Sequence, residues 1–199
     1  MDYNYLAELL FPDVRETPED MEKRYPPREL PEGAKVTRFA PSPTGFVHFG
    51  GLFPSTVGDR LAHQSGGVFY LRIEDTDQER KVEGAVEMVY RTLATAGITY
   101  DEGPDKDGGY GPYIQTERMG LYKQYAEQLV ELGGAYYCFC DKERLESLKD
   151  ANGVHTYDKH CRNLSKEEVQ RRLAAGEPYV IRPKVPEGVV TRYTDMVFG

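Results

Sequence analysis

KVTRFAPSPTGFVHFGG, residues 35–51, decides the fold. KVTRFA reads as a short strand, ended by Pro41-Ser-Pro43-Thr-Gly45. A helix of about fifteen residues is expected from Gly50, carrying Leu52, Val57, Leu61 and Ala62 to Ser65-Gly-Gly67. VFYLRIED (68–75) follows, a mostly apolar run of the kind found in a buried parallel strand. Residues 82–96 place Val82, Val86, Val89, Leu93 and Ala96 at helical spacing, with Gly97 where a glycine closes a helix. Strand, helix, strand, helix implies right-handed crossovers and a parallel sheet with helices on its faces. The fold class is α/β.

Downstream, the Gly/Asp-rich DEGPDKDGGYGP (101–112) marks a boundary. A helix is expected from Thr116 to Leu132, then a strand at AYYCFC (135–140) and a helix at DKERLESLK (141–149). Ser165 and Glu168 form a capping box for a helix through Ala174, and PYVIRPKV (178–185) and VTRYTDMV (190–197) read as short strands. Upstream, residues 1–34 hold nine acidic and four basic side chains with five prolines. Within them Thr17 is placed to cap a short helix with Pro18 first and Asp20 in its opening turn. This segment is either an appended arm or a helix packed on the core. The expected organisation is an acidic arm at 1–34, the first half of a nucleotide-binding sheet at 35–112 and an inserted domain at 113–199.

The 199 residues are 39% apolar and 29% charged, the composition of a globular protein. The net charge of −8 argues against a broad basic surface for nucleic acid. The acidity is uneven: residues 1–34 carry −5, residues 35–113 carry −3, and residues 114–199 carry 13 charges of each sign. A local face for a polyanion therefore stays open. No run approaches a membrane span, and the acidic N-terminus has no signal-peptide pattern. Three cysteines, 138, 140 and 161, are not a secreted disulfide framework. A cytoplasmic protein is expected.

The turn after the first strand lies where ligands bind in open α/β sheets. The following helix aims free N–H groups and its positive dipole end at that turn, which suits a phosphate. Gly45, Gly50 and Gly51 let a ligand approach the backbone, and His48 can donate to a phosphate oxygen. Neither G-x-G-x-x-G nor G-x-x-x-x-G-K-[ST] is present, so the dinucleotide and P-loop readings fail.

RFAPSPTGFVHFGG (38–51) resembles the first signature of class I aminoacyl-tRNA synthetases, in the form used by glutamyl-tRNA synthetases. The resemblance continues through YLRIEDTDQER (70–80), DEGPD (101–105), GPYIQTER (111–118) and YDKHCRNLS (157–165). His48-Phe49-Gly50-Gly51 departs from the usual pattern, with Phe for a small aliphatic residue and Gly for the last His. No second, Lys-Met-Ser-Lys-Ser-like signature occurs in these residues, so the chain is expected to be the N-terminal part of a larger enzyme.

The resemblance implies a Rossmann-type sheet with an inserted acceptor-binding domain. It also implies ATP-dependent activation of L-glutamate to glutamyl-adenylate, with Mg²⁺, and transfer to tRNA(Glu). His48, Gly50 and Gly51 would contact ATP; Arg38 would pair with a glutamate carboxylate. Ser42 and Glu74 would face the ammonium group, with Ala40 contributing backbone. For Arg38 and Glu74 the alternative is a structural ion pair, and Asp77 and Arg80 read as a helix cap or a pair. Cys138 and Cys140 with Tyr157-x-x-x-Cys161 resemble a zinc site of some glutamyl-tRNA synthetases, His160 being another candidate for the fourth ligand. Three reduced, buried cysteines are the other reading. The tyrosines at 110, 113, 122, 125, 136 and 137 read mostly as core. A monomer without membrane contact is expected. The rival activities are attachment of glutamate to queuosine in tRNA(Asp), charging of tRNA with glutamine, and non-catalytic tRNA or nucleotide binding.

Overall fold

The computed structural model of the chain describes residues 3–45, 47–150, 153–154, 156–195 and 199. Along the chain the elements are α1 (Tyr3–Leu10), α2 (Pro18–Arg24), β1 (Val36–Phe39), α3 (Phe49–Gln64), β2 (Val68–Leu71), α4 (Ala85–Thr95), α5 (Met119–Glu131), β3 (Ala135–Cys138), α6 (Lys142–Glu146), α7 (Lys166–Ala174) and β4 (Val180–Pro183). They gather into two compact units: Arg15–Gln124, and Met1–Val14 with Tyr125–Gly199. Residues 1–34 are thus divided at Val14/Arg15 rather than standing as one arm. Residues 15–34 are held by distant partners. Tyr25 donates its hydroxyl to the Gly111 carbonyl at 2.8 Å, and Arg28 forms a bidentate pair with Glu102.

In the unit Arg15–Gln124, β1 and β2 pair in parallel with Arg38 opposite Tyr70 and Phe39 opposite Leu71. The far edge of β2 continues the parallel pattern through bridges to Glu102 and Ile114. Because strands are added in one direction, right-handed crossovers put α3 and α4 on the same face rather than on both. One core receives both helices: Ala62 of α3 and Val89 and Leu93 of α4 are buried with Phe69, Leu71, Ile73 and Ile98. The opposite face carries Arg38, Tyr70, Arg72 and Glu74, as strand alternation requires. Gly67 is where only glycine fits: a Cβ there would lie 1.9 Å from the Lys35 carbonyl oxygen. Gly97, φ 67°, closes α4 in the left-handed region. The helix expected from Thr116 opens as a short 3₁₀ turn, Thr116–Arg118, and continues as α5.

In the other unit, β3 and β4 pair antiparallel, Ala135 opposite Pro183 and Cys138 opposite Val180. Ala7, Val130, Ala135, Tyr137 and Val169 form its core. The Ser165 hydroxyl caps α7 by accepting from the Glu168 N–H at 3.2 Å. The strand expected at 190–197 is not found over 190–195, where Val190 and Tyr193 stay 75% and 83% exposed. Its β-branched composition favours extension, yet no ladder partner meets it among the described residues. Residues 196 and 197 lie outside the described set.

Candidate functional site

The first site is built where β1 and β2 end. Beyond the ladder, the Arg72 N–H donates to the Phe39 carbonyl at 3.0 Å and the Glu74 N–H to the Pro41 carbonyl at 3.0 Å. These two bonds carry the parallel register past the strands, so Arg38, Ala40 and Ser42 run beside Tyr70, Arg72 and Glu74. Arg38 Nη1 donates to Glu74 Oε1 at 3.1 Å; Ala40 is half-buried and Ser42 exposed. The Val82 N–H donates to the Pro43 carbonyl at 2.9 Å, pinning the proline-rich turn.

His48 is the N-terminal cap residue of α3, in extended backbone, and its imidazole makes no capping hydrogen bond. The ring folds over Gly50 instead: a Cβ added at Gly50 would lie 2.9 Å from its Cε1 and Nδ1. His48 and Gly50 are exposed and Gly51 half-buried, so a helix N-terminus and an imidazole are presented together to solvent. Asp77 and Arg80 pair with each other, Arg80 Nε donating to Asp77 Oδ2 at 2.6 Å while the Arg80 N–H meets Oδ1 at 3.1 Å.

Two neighbours were not singled out from the sequence. Arg72 gives Nε to Glu74 Oε1 at 3.0 Å, a position that period-two alternation from Glu74 would have flagged. Asp75 is buried and accepts from the Thr116 N–H at 2.9 Å and hydroxyl at 2.8 Å. Burial pushes the Asp75 carboxyl up, but these Thr116 bonds together with hydrogen bonds from its own backbone N–H and Gln78 outweigh it and hold the group below the usual carboxylate range. No local sequence signal joins residues 75 and 116.

The second site lies in the other unit, at the end of β3. The Sγ atoms of Cys138, Cys140 and Cys161 lie within 4.8 Å of one another, and Cys138 and Cys161 are buried. Cys140 and Cys161 are 3.6 Å apart, far beyond the roughly 2.05 Å of a disulfide. The Tyr157 hydroxyl stands 3.1 Å from Cys138 Sγ and 3.7 Å from Cys140 Sγ. Four soft or phenolic donors at such edges fit a tetrahedral ion, for which Zn–S of about 2.3 Å gives edges of about 3.8 Å. Lys159, φ 59°, turns the loop left-handed between Tyr157 and Cys161 and brings the last thiol back. His160 is exposed and is not among the gathered donors. Burial pushes the Cys138 thiol up, but hydrogen bonding with Tyr157, the Cys140 backbone and Arg182 outweighs this and holds it below the usual thiol range. Burial dominates at Cys140 and raises it.

Residues 35–199 match the family described as tRNA synthetases class I (E and Q), catalytic domain. The chain belongs to this family. Among relatives of this synthetase-family chain, a glutamate–tRNA ligase of Lachnoclostridium phytofermentans is 57% identical over 177 residues, 83% of this chain and 36% of that protein. One from Clostridium perfringens is 46% identical across 100% of this chain and 39% of its own length. The chain thus spans little more than a third of the curated relatives it matches. The crystal structure of a glutamate–tRNA synthetase from Elizabethkingia anophelis superposes with a TM-score of 0.70 at 38% identity, covering 77% of this chain and 33% of the other. A second, from Elizabethkingia meningosepticum in complex with its amino acid, gives 0.69 at 39% identity, over 78% of this chain and 33% of that one. The α/β class expected from residues 35–97 is therefore also the class of this family's catalytic domain. Among the described residues, no helix is long and apolar enough to cross a membrane.

Proposed function

We propose that this chain supplies the amino-acid and ATP sites of a glutamate–tRNA ligase. The carrying observation is the meeting of Arg38 and Glu74 beyond the carboxyl ends of two parallel strands, beside the proline-rich turn that leads into the His48-headed helix. A zwitterionic substrate with a second carboxylate meets its opposite at each charge: Arg38 takes a carboxylate in a planar fork, and Glu74 and Ser42 take the ammonium. Ala40 offers backbone. The backbone N–H groups around Gly50 and Gly51 at the start of α3 take ATP phosphates, and the exposed His48 donates to them.

The chemistry is positioning and charge stabilisation. A glutamate α-carboxylate oxygen attacks the α-phosphorus of ATP as the bond to pyrophosphate breaks, giving glutamyl-adenylate. A hydroxyl of the terminal adenosine of tRNA(Glu) then attacks the acyl carbon, and AMP leaves. Mg²⁺ accompanies the nucleotide and offsets its phosphate charge.

The same reading gives residues 113–199 to the acceptor stem and residues 35–112 to the nucleotide half. Cys138, Cys140, Cys161 and Tyr157 would hold a Zn²⁺ that fixes the loop after β3; the donor chemistry and spacing support this. The enzyme acts in the cytoplasm, as a monomer. Because these 199 residues hold no Lys-Met-Ser-Lys-Ser-like lysine for the ATP phosphates, the isolated chain is expected to show negligible ATP–pyrophosphate exchange. The test uses the full gene product with labelled glutamate and purified tRNAs. Charging of tRNA(Glu) is expected. Glutamate delivered to tRNA(Asp) alone, or to no tRNA, overturns the reading.

A further inference from the structure

Glu74 Oε1 receives two guanidinium groups, not one. Arg38 Nη1 lies at 3.1 Å, and Arg72 reaches the same oxygen through Nε and Nη2, each at 3.0 Å. Residues two apart on extended chain share a face, so Arg72 and Glu74 point together while Leu71, Ile73 and Asp75 are buried. The two arginines are not equivalent. Arg72's side chain is 19% exposed and Arg38's 39%, so Arg72 is the more enclosed of the two.

The following step rests on the reading above, in which Arg38 receives a substrate carboxylate and Glu74 the ammonium. An arginine engaged by an incoming carboxylate gives up part of its hold on Glu74. With Arg38 as its only partner, Glu74 would lose its orientation at the moment the ammonium arrives. We propose that Arg72 is a positioning residue that keeps Glu74 aimed while Arg38 turns to substrate. Its rigid guanidinium fork hydrogen-bonds Oε1 through Nε, with Nη2 at ion-pair distance from the same oxygen. Both arginines meet Oε1, so Oε2 is the oxygen offered to the ammonium group. The trio Arg38, Glu74 and Arg72 keeps one net positive charge, which suits a substrate of net charge −1.

The experiment measures glutamate-dependent ATP–pyrophosphate exchange by the full gene product in the presence of tRNA(Glu), with glutarate (the same dicarboxylate without the amino group) as competitive inhibitor. Arg72→Gln is expected to raise the KM for glutamate about 10- to 100-fold while the glutarate inhibition constant moves less than about threefold, because only the ammonium contact is lost. Arg72→Lys, which keeps the charge without the fork, is expected to fall between wild type and Arg72→Gln. The Arg72→Gln/Glu74→Gln double variant is expected to be no worse than Glu74→Gln alone. Equal weakening of glutamate and glutarate would mean general damage to the site and overturns the assignment. So does an unchanged glutamate KM. If Arg72→Gln does not fold, the glutamate-to-glutarate ratio of Arg72→Lys decides alone: a ratio shifted towards glutarate supports the assignment, an unshifted one overturns it. Absence of exchange in the unsubstituted protein removes the proposed function itself, and this assignment with it.

Discussion

The crevice after β1 and β2 and the thiol cluster after β3 are both gathered from chain segments far apart in sequence, but by different means. In the crevice, a parallel register fixes two extended segments side by side, and the charges that meet there are already paired: Glu74 is held by Arg38 and Arg72. In the cluster, one strand end and one loop bring three thiols and a phenol together, donors that call for a cation among them. Only part of that demand is met by Arg182, whose guanidinium lies 4.3 Å over the Tyr157 ring. A site made of ion pairs keeps its shape when empty. A site made of like donors would be fixed by a metal, since binding would turn its thiols into thiolates held around one positive charge.

The largest effect should therefore fall on the cluster. Chelation, or Cys161→Ala, is expected to release bound zinc and destabilise the unit containing β3 and β4 by about 5 kcal/mol or more, since structural zinc contributes folding energy directly. Hydrogen exchange should show β1 and β2 unaffected. Metal analysis of purified protein finding less than about 0.2 zinc per chain, or equal loosening of both units, breaks the contrast.

Next comes the pair that ties residues 15–34 to the rest of the unit Arg15–Gln124. Arg28 meets Glu102 through both guanidinium nitrogens and lies 3.6 Å over the Tyr110 ring, while Glu102 also accepts from the Tyr113 hydroxyl at 2.8 Å. Arg28→Ala strands the Glu102 carboxylate and is expected to cost about 3–5 kcal/mol, read by urea denaturation. A cost below about 1 kcal/mol would mean the segment is only loosely attached.

Acid should act through Asp75. Its folded-state pKa is below the unfolded one, so its contribution is present above the unfolded value and is lost as pH falls through the folded value. Asp75→Asn is expected to cost about 1–2 kcal/mol near neutrality and to flatten the acid limb of the stability curve. An acid limb unchanged in the variant rules out this origin.

The smallest effect is at Lys159, which pays for the loop geometry with φ 59°. Lys159→Gly is expected to stabilise by up to about 1 kcal/mol with zinc retained. Loss of stability there means the side chain matters more, through its 3.0 Å bond to Glu187.

The elements were legible from local pattern where packing follows pattern. β1, α3 and β2 lie close to where alternation and apolar spacing put them and Gly97 closes α4, but α4 begins at Ala85, and Val57, Leu61 and Val82 are exposed. What was not legible depends on distance in sequence. Nothing near Arg28 announces Glu102, and nothing near Asp75 announces Thr116. The division at Val14/Arg15 follows from such ties and not from the acidic composition of residues 1–34. The tyrosines split by burial: Tyr113 and Tyr137 are core, whereas Tyr122 and Tyr125 are exposed on α5. At 190–195, β-branched residues read as a strand, but a strand needs a partner that a local pattern cannot supply.

The most direct test of the crevice is glutamate-dependent ATP–pyrophosphate exchange by the full gene product with tRNA(Glu) present, wild type beside Arg38→Ala. The account predicts exchange that requires glutamate and a loss of kcat/KM for glutamate of about 100-fold or more in the variant, the scale of a lost charged pair at a binding site, with the KM for ATP little changed. Wild-type exchange driven equally well by an uncharged amino acid, or unaffected by Arg38→Ala, would contradict it.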